Sequence, residues 1–243
     1  MFGIRPGDWR LYLVAFTILM TQLSISVMNE WADRERDALV HRRRPVALGR
    51  VSPRFALILA IVLGFAAIPG ALAFGAPSLM VVLLGLGIGW VYDLILKPTP
   101  LSFLAFAAAF PLLAVWIGIV SGHPVPIFLC FLAGGPLAVS IHLADSLPDE
   151  AADIGAGLPT LAVSLGHTAA VRVMQAMLLL GSLIVIVTDL PQTVFVVLVA
   201  VAAVLGATLA AFVDRIDPVQ TRFLVGATAV GIFAPWISGP FRG

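Results

Sequence analysis

The sequence predicts an all-α, polytopic membrane protein, a helical bundle of about eight transmembrane helices. The first observation is its composition: of 243 residues, 60% are apolar and 11% are charged, and the mean hydropathy is +1.07. A soluble domain has about a quarter charged residues, so this chain has too few to cover a surface exposed to water. A soluble enzyme and a disordered chain are therefore excluded. The single cysteine, Cys130, also excludes a scaffold of intrachain disulfides.

The second observation is a series of apolar runs, each near the length of about 20 residues that a helix needs to cross a bilayer. The eight predicted spans cover residues 11–28, 54–74, 78–96, 101–120, 125–144, 168–188, 192–213 and 221–238. Three of the connections between spans are short and carry no lysine or arginine. The other four follow the first, third, fifth and seventh spans and carry almost all the ionisable groups.

This alternation of connections also orients the protein. Lysine and arginine favour cytoplasmic loops, and with the first span running inward all four charged connections lie on the cytoplasmic side. A wrong span count would scatter these charges over both faces. The sequence therefore predicts a multi-pass protein of a cell or inner membrane, with its polar motifs facing the cytoplasm.

Two sets of three polar residues, each spaced by four, follow spans that run inward. On a helix this spacing places three side chains along one face over about two turns. The first set is Asn29, Asp33 and Asp37, and the second set is Asp145, Asp149 and Asp153. Pro148 lies within the second set, so we expect a bent or broken helix there.

The two acidic sets predict a site for a metal ion and a phosphate. Carboxylate oxygens suit Mg²⁺, which keeps several waters and bridges carboxylates to substrate phosphates. Basic residues are close in sequence, namely Arg42, Arg43, Arg44 and Arg50 after the first set and Lys97 after the third span. Acids beside an arginine cluster favour a metal together with a phosphate, and the membrane setting favours a lipid-like substrate with a phosphorylated head.

Simpler interpretations of the same residues stay open. One alternative is that the basic loop is only a signal for membrane topology. Another is that Asp93 and Lys97, which are four residues apart, pair with each other. A third alternative is that the two acidic sets are only helix ends exposed to solvent. Because the same spacing occurs twice on one predicted side, a shared site is the favoured interpretation.

The motifs at these positions resemble those of the UbiA-type intramembrane prenyltransferase family. The first motif reads Asn29-Glu-Trp-Ala-Asp33-Arg-Glu-Arg-Asp37, then Arg44-Pro45 and Gly49-Arg50-Val51-Ser52-Pro53. The second reads Asp145-Ser-Leu-Pro-Asp149-Glu-Ala-Ala-Asp153, then Gly157 and Thr160-Leu161. Tyr92 and Lys97 lie between the two motifs, as the family's Tyr and Lys do, and the match extends over nearly the whole chain in order and spacing.

The resemblance implies one domain over residues 1–243, a helical bundle around a central cavity. The family usually has nine spans, and its first helix is expected to be missing here. Mg²⁺ is the implied cofactor, and its implied ligands are Asn29, Asp33, Asp37, Asp145, Asp149 and Asp153. The implied diphosphate-binding residues are Arg44, Arg50, Lys97 and Tyr92. Asp145 and Asp149 are the implied catalytic residues.

The activity implied by the resemblance is transfer of a prenyl group from an isoprenoid diphosphate to a lipophilic acceptor, usually an aromatic ring, within the lipid bilayer. No nucleic-acid partner is expected. Ile154, Leu158 and Pro159 replace basic residues that often follow the family's second motif, which keeps a catalytically silent isoprenoid-binding protein as an alternative. A cation transporter is a further alternative, although its path would need acids distributed through the depth of the membrane.

Overall fold

The computed structural model describes residues 8–39, 43–123, 126–188 and 225–231. Every regular element within these ranges is helical, and six helical stretches are long and apolar enough to cross a membrane. The predicted all-α membrane fold is confirmed, and the chain is an integral membrane protein. The predicted span 192–213 lies outside the described residues, and the span 221–238 is described only over 225–231, which are helical.

The helix bounds agree with the hydropathy of the sequence to within a few residues, except at the end of the first helix. The helices are α1 Trp9–Leu39, α2 Pro53–Leu72, α3 Ala76–Val91, α4 Phe103–Ser121, α5 Ile127–Ser146, α6 Glu150–Gly155, α7 Leu161–Leu165, α8 His167–Thr188 and α9 225–231. A π-helical turn, Tyr92–Leu96, follows α3, and a 3₁₀ turn, Leu147–Asp149, joins α5 to α6.

The chain divides into two compact units. The first unit extends to Lys97 and also includes Trp116–Gly122, and the second includes Pro98–Val115 and the described residues from His123 onward. The single domain over residues 1–243 stays a prediction.

In the first unit, small residues let α2 pack closely against α1. The buried face of α2 consists of Ala56, Ala60, Gly64, Ala67, Gly70 and Ala71. Small residues at such interfaces allow membrane helices to approach, since lipid provides no hydrophobic drive between them. Ser24 of α1 donates a hydrogen bond to the Ala60 carbonyl at 2.6 Å and accepts one from the Trp90 indole at 3.2 Å, which connects α1, α2 and α3.

In the second unit, α5 packs against α8 in the same way. Gly181 of α8 faces Leu137 of α5, and a Cβ added at Gly181 would lie 2.6 Å from Leu137 Cγ and 3.1 Å from the Ala133 carbonyl oxygen. A buried cluster of α5, α8 and α9 residues continues this contact: Leu143, Ala144, Ala170, Met174 and Val225.

We expect Gly181→Ala to destabilise the protein, because its methyl group overlaps Leu137. Overpacking of this kind costs about 1–3 kcal/mol. The matched control is Gly85→Ala in α3, where an added Cβ meets no atom within 4 Å. Both changes gain the same helix propensity, so the difference between their melting temperatures in detergent isolates the overlap. A Gly181→Ala protein that melts at or above the temperature of Gly85→Ala would contradict the prediction.

Candidate functional site

The first acidic motif lies on the last turns of α1. This helix has 31 residues, more than the roughly 20 that a span requires, and its C-terminal part carries Asn29, Asp33 and Asp37 on successive turns. The predicted helical face is thereby confirmed. Asn29 and Asp33 are partly buried, and Asp37 is only 3% exposed. Three oxygen-bearing side chains therefore line one side of a single rigid helix.

The third span ends in a π-helical turn that begins at Tyr92. The Lys97 amide donates to the Tyr92 carbonyl at 2.9 Å, a bond across five residues rather than four. Such turns are rare in proteins, and those that do occur are often found at functional sites. Tyr92 is partly buried, and Asp93 in the same turn is 5% exposed. The turn thus places a tyrosine, an acid and a lysine at the end of the third span.

Two contacts connect this turn to the first motif. The Asn29 amide nitrogen donates to Asp93 Oδ1 at 2.8 Å, and Lys97 Nζ forms an ion pair with Asp33 Oδ2. Asn29 and Asp33 are one turn apart on α1, and Asp93 and Lys97 are one turn apart on the other element. Each of the two side chains thus has a hydrogen-bond partner on α1, in addition to the charge of the other one turn away.

The Asp33–Lys97 ion pair is shielded from solvent, with 12% and 21% of the two side chains exposed. Charges in a partly buried site attract more strongly than on an open surface. The pair joins a residue expected to bind metal to one expected to bind diphosphate. The structure therefore brings these two predicted functions together at the end of α1.

Arg44 and Arg50 lie on a compact turn between α1 and α2, and both are exposed. The Arg50 amide donates to the Pro45 carbonyl at 3.0 Å, and Gly49 has a φ of 71°, a conformation that favours glycine. Arg44 lies 3.9 Å from the Glu30 carboxylate, a weak surface pair that keeps it near α1.

Part of the Gly-Arg-x-Ser-Pro motif has a structural role. The Ser52 hydroxyl accepts a hydrogen bond from the Phe55 amide at 3.2 Å, and Pro53 occupies the first position of α2. A serine cap followed by proline is a favourable helix start. These residues therefore determine where α2 begins and how the arginine-bearing turn is closed.

The second acidic motif extends over three different elements. Asp145 lies at the end of α5, Asp149 ends the 3₁₀ turn, and Asp153 is buried in α6 with 2% exposure. The break expected at Pro148 is confirmed, since α5 ends at Ser146. The three carboxylates therefore do not share one straight helical face.

Sequence reasoning missed three polar contacts near the motifs. Asp93 accepts a hydrogen bond from Asn29, whereas the sequence suggests only Lys97 as its partner. In the second unit, the Ser102 hydroxyl and His142 Nε2 are 2.8 Å apart, and both residues are buried. His167 Nδ1 and Glu150 Oε2 are 2.8 Å apart, within hydrogen-bond distance. For Asp93 and His142 the available signal was an ionisable group within an apolar span, which marks a functional candidate.

The donor chemistry of the first motif fits a hard divalent cation. One amide oxygen and two carboxylates occupy successive turns, and these are oxygen donors of the type that such a cation prefers. Asp93 Oδ2, in the neighbouring π-helical turn, is a buried acceptor with no hydrogen-bond partner among the described residues. Within the described ranges, however, no three His, Cys, Asp or Glu side chains are close enough to hold a metal ion by themselves, so the fit is one of donor type.

Comparison with known proteins identifies the family of this chain. Residues 3–232 match the UbiA prenyltransferase family. The 4-hydroxybenzoate octaprenyltransferase of Pectobacterium carotovorum is 25% identical over 169 residues, which cover 68% of this chain and 59% of that enzyme. The same enzyme of Salmonella paratyphi B is 26% identical over 166 residues, covering 67% and 57%. The chain thus spans less than two thirds of the length of these relatives.

Solved structures show the same fold. A UbiA homolog from Archaeoglobus fulgidus, bound to GPP and Mg²⁺, has a TM-score of 0.76 and 20% identity, with 98% of this chain and 90% of that chain covered. A UbiA homolog from Aeropyrum pernix K1 has a TM-score of 0.74 and 19% identity, covering 94% and 89%. The family match extends over nearly the whole sequence and includes both acidic motifs. The chain therefore belongs to the UbiA prenyltransferase family.

Proposed function

We propose that this chain is a Mg²⁺-dependent prenyltransferase that moves a prenyl group from an isoprenoid diphosphate to a lipophilic, aromatic acceptor within the membrane. Family membership supports the reaction class. The curated relatives named above are 4-hydroxybenzoate octaprenyltransferases, and one structural neighbour was bound to GPP and Mg²⁺. The observation that carries the proposal is the Asp33–Lys97 ion pair, which joins the implied metal motif to an implied phosphate ligand.

The metal ligands in this proposal are the oxygens of the two acidic motifs: Asn29, Asp33 and Asp37, and Asp145, Asp149 and Asp153. Bound Mg²⁺ supplies positive charge that holds the diphosphate and stabilises it as a leaving group. Hard oxygen donors are the ligands that this ion prefers.

Lys97 has two partners in this scheme. Without donor, its ammonium neutralises Asp33. A diphosphate carries more negative charge than one carboxylate, so it attracts the ammonium away and leaves Asp33 for the metal. Donor and metal therefore bind better together than either does alone.

The exposed arginines complete the diphosphate site. Arg44 and Arg50 extend from the turn after α1, and a guanidinium can bind phosphate oxygens through two parallel hydrogen bonds. Tyr92 is the remaining diphosphate-site residue, and its ring offers a π-face to positive charge that develops on the prenyl carbon. Arg44 and Arg50 would thus supply positive charge to the leaving diphosphate in addition to the metal.

The transfer itself breaks the bond between the prenyl carbon and the diphosphate oxygen, and the electron pair leaves with the diphosphate. A carbon of the aromatic acceptor then forms a bond to the prenyl carbon and loses its proton. Asp145 and Asp149 are the proposed catalytic residues, and one of the two carboxylates takes that proton. Asp145 lies at the end of the apolar helix α5 and Asp149 in the turn that follows it, which supports a role for both beside a lipophilic acceptor.

The proposed site faces the cytoplasm. Its arginines belong to the connection after the first span, and positively charged connections are retained on the cytoplasmic side. Arg43, Arg44 and Arg50 are exposed on this connection. A cysteine placed beside them should react with a membrane-impermeant thiol reagent only from the cytoplasmic side.

The test of the proposed function uses purified protein in nanodiscs with Mg²⁺ and geranyl, farnesyl or geranylgeranyl diphosphate. Acceptors are 4-hydroxybenzoate and a pool of other aromatic compounds. We expect a prenylated product and released diphosphate by mass spectrometry, and both should disappear when EDTA removes the metal. Readdition of Mg²⁺ should restore them.

Other results of this test distinguish the alternatives. Mg²⁺-dependent donor binding with neither product nor diphosphate release would identify a catalytically silent isoprenoid-binding protein. Absence of both binding and product would overturn the proposed diphosphate site. Product formation that survives EDTA would contradict the metal requirement.

A further inference from the structure

Asp93 is an acid inside an apolar span. It lies in the π-helical turn, and only 5% of it is exposed. A charged group within a span is costly, so such residues are rare and usually serve a function. The family motifs explain Tyr92 and Lys97 on either side, but they assign no role to Asp93. Its contacts indicate one.

The hydrogen bond from Asn29 to Asp93 determines how the Asn29 amide is oriented. An ionised carboxylate only accepts hydrogen bonds, so the amide must present its NH₂ group to Asp93 Oδ1, at 2.8 Å. The amide oxygen of Asn29 is consequently turned away from Asp93. This oxygen is the only atom of the Asn29 side chain that can bind a metal ion or accept a hydrogen bond.

Asp93 also keeps an unused acceptor. Its second oxygen, Oδ2, is buried and has no hydrogen-bond partner among the described residues. A buried acceptor without a partner is unfavourable by itself, and a bound water or other donor would satisfy it. Among the described residues, the hydrogen bond from Asn29 is therefore the contact that holds this carboxylate.

We propose that Asp93 is a positioning residue that orients the Asn29 amide oxygen toward the metal–diphosphate assembly. This inference rests on the proposed function, in which Asn29 is a ligand of that assembly. Partners that orient metal ligands typically change metal affinity by 10–100-fold when they are removed. The neighbouring Asp33–Lys97 ion pair keeps the same two elements together one turn further along. The Asn29–Asp93 contact therefore has a fixed geometry.

The experiment measures binding of geranyl thiolodiphosphate, an unreactive donor analogue, by calorimetry in nanodiscs with Mg²⁺. The variants are Asp93→Ala, Asn29→Ala and the double variant. We expect Asp93→Ala to weaken binding about tenfold and Asn29→Ala to weaken it at least as much. Because Asp93 acts through Asn29, the double variant should bind no more weakly than Asn29→Ala alone.

Three results separate the inference from the proposed function. Wild-type binding by Asp93→Ala, with weakened binding by Asn29→Ala, would overturn the role of Asp93 alone. If the loss of affinity in the double variant equals the product of the losses in the two single variants, the two residues act independently, and this role is also overturned. Wild-type binding by Asn29→Ala would remove Asn29 from the proposed site, and the positioning role would be lost with it.

The control for a purely structural effect is Ser78→Ala in α3, the helix that precedes the turn with Asp93. Ser78 is fully buried and accepts a hydrogen bond from the Trp116 indole at 2.9 Å. It lies about 22 Å from Asp93 along the helix axis. We expect this change to lower thermal stability but to leave analogue binding within about twofold of wild type. If Ser78→Ala weakens binding as much as Asp93→Ala does, the effect is structural and the inference is overturned.

Exchanging Asn29 and Asp93 gives a second test, which does not require the Asp93→Ala protein to fold. Asn29→Asp alone places two carboxylates against each other and should bind the analogue weakly. Asn29→Asp combined with Asp93→Asn restores a donor and an acceptor at this contact. We expect the exchanged protein to bind at least about fivefold more tightly than Asn29→Asp. Equal binding by the two proteins would overturn the inference.

Discussion

Replacing Asp33 with alanine should abolish prenyl transfer while the protein remains inserted and folded. The change removes a proposed metal ligand and the partner of Lys97 at the same time. We expect product formation to fall by about 10³-fold or more, equivalent to about 4 kcal/mol of transition-state stabilisation. Mass spectrometry of the prenylated product measures the loss, and retained elution and melting behaviour in detergent show that the fold is intact.

The matched control for Asp33→Ala is Glu35→Ala on the same helix. The Glu35 side chain is 83% exposed and pairs with Arg34 at 2.9 Å, so it lies off the motif face. Exposed pairs contribute little, and we expect activity within about twofold of wild type. Asp33→Ala activity within tenfold of the Glu35→Ala protein would contradict the proposed site.

Replacing Asp149 with alanine should have a similarly large effect on turnover. Asp149 ends the 3₁₀ turn at the start of α6, within the second acidic motif. We expect a loss of product of about 10³-fold, as for other residues that act directly on metal or substrate.

Glu150→Gln is the neighbouring control for Asp149→Ala. The Glu150 carboxylate lies 2.8 Å from the His167 ring, and Glu150 is not one of the three Asp residues of the second motif. We expect this protein to retain activity within about threefold of wild type. If the two variants lose activity equally, local charge in this segment matters rather than the Asp149 carboxylate itself. The assignment of Asp149 to the site would then be wrong.

The sequence predicted most of the membrane helices because a bilayer imposes a simple requirement for long apolar runs. The bounds of α2, α4, α5 and α8 follow these runs closely. Pro148 also correctly predicted the end of α5, since proline removes a backbone donor from a helix. Local chemistry was sufficient for these features.

The contacts of the site were harder to predict. Asn29 and Asp93 are 64 residues apart, as are Asp33 and Lys97, so no local pattern identifies the two pairs. Spacing by four suggested a pair between Asp93 and Lys97 within one helix. Packing of α1 beside the third span gave each of these side chains a hydrogen-bond partner on α1, and only the tertiary structure reveals these contacts.

The roles of the residues in the turn that follows α1 were also hard to predict from the sequence. Of its Gly-Arg-x-Ser-Pro residues, the resemblance assigns a phosphate contact to Arg50 alone. In the structure, Gly49 provides a positive φ and Ser52 with Pro53 starts α2. A motif can therefore combine residues for binding with residues for backbone geometry, and spacing alone does not separate the two.

The π-helical turn at Tyr92–Leu96 has a consequence for comparing sequences. The bond from the Lys97 amide to the Tyr92 carbonyl includes one residue more than an α-helical bond does. A relative whose third span is a regular α-helix reaches the equivalent of Lys97 one residue sooner. An alignment that counts positions from the tyrosine without a gap would then pair Lys97 with the wrong residue. Equivalent lysines in such relatives should be assigned by superposing backbones, with a one-residue insertion placed inside this turn.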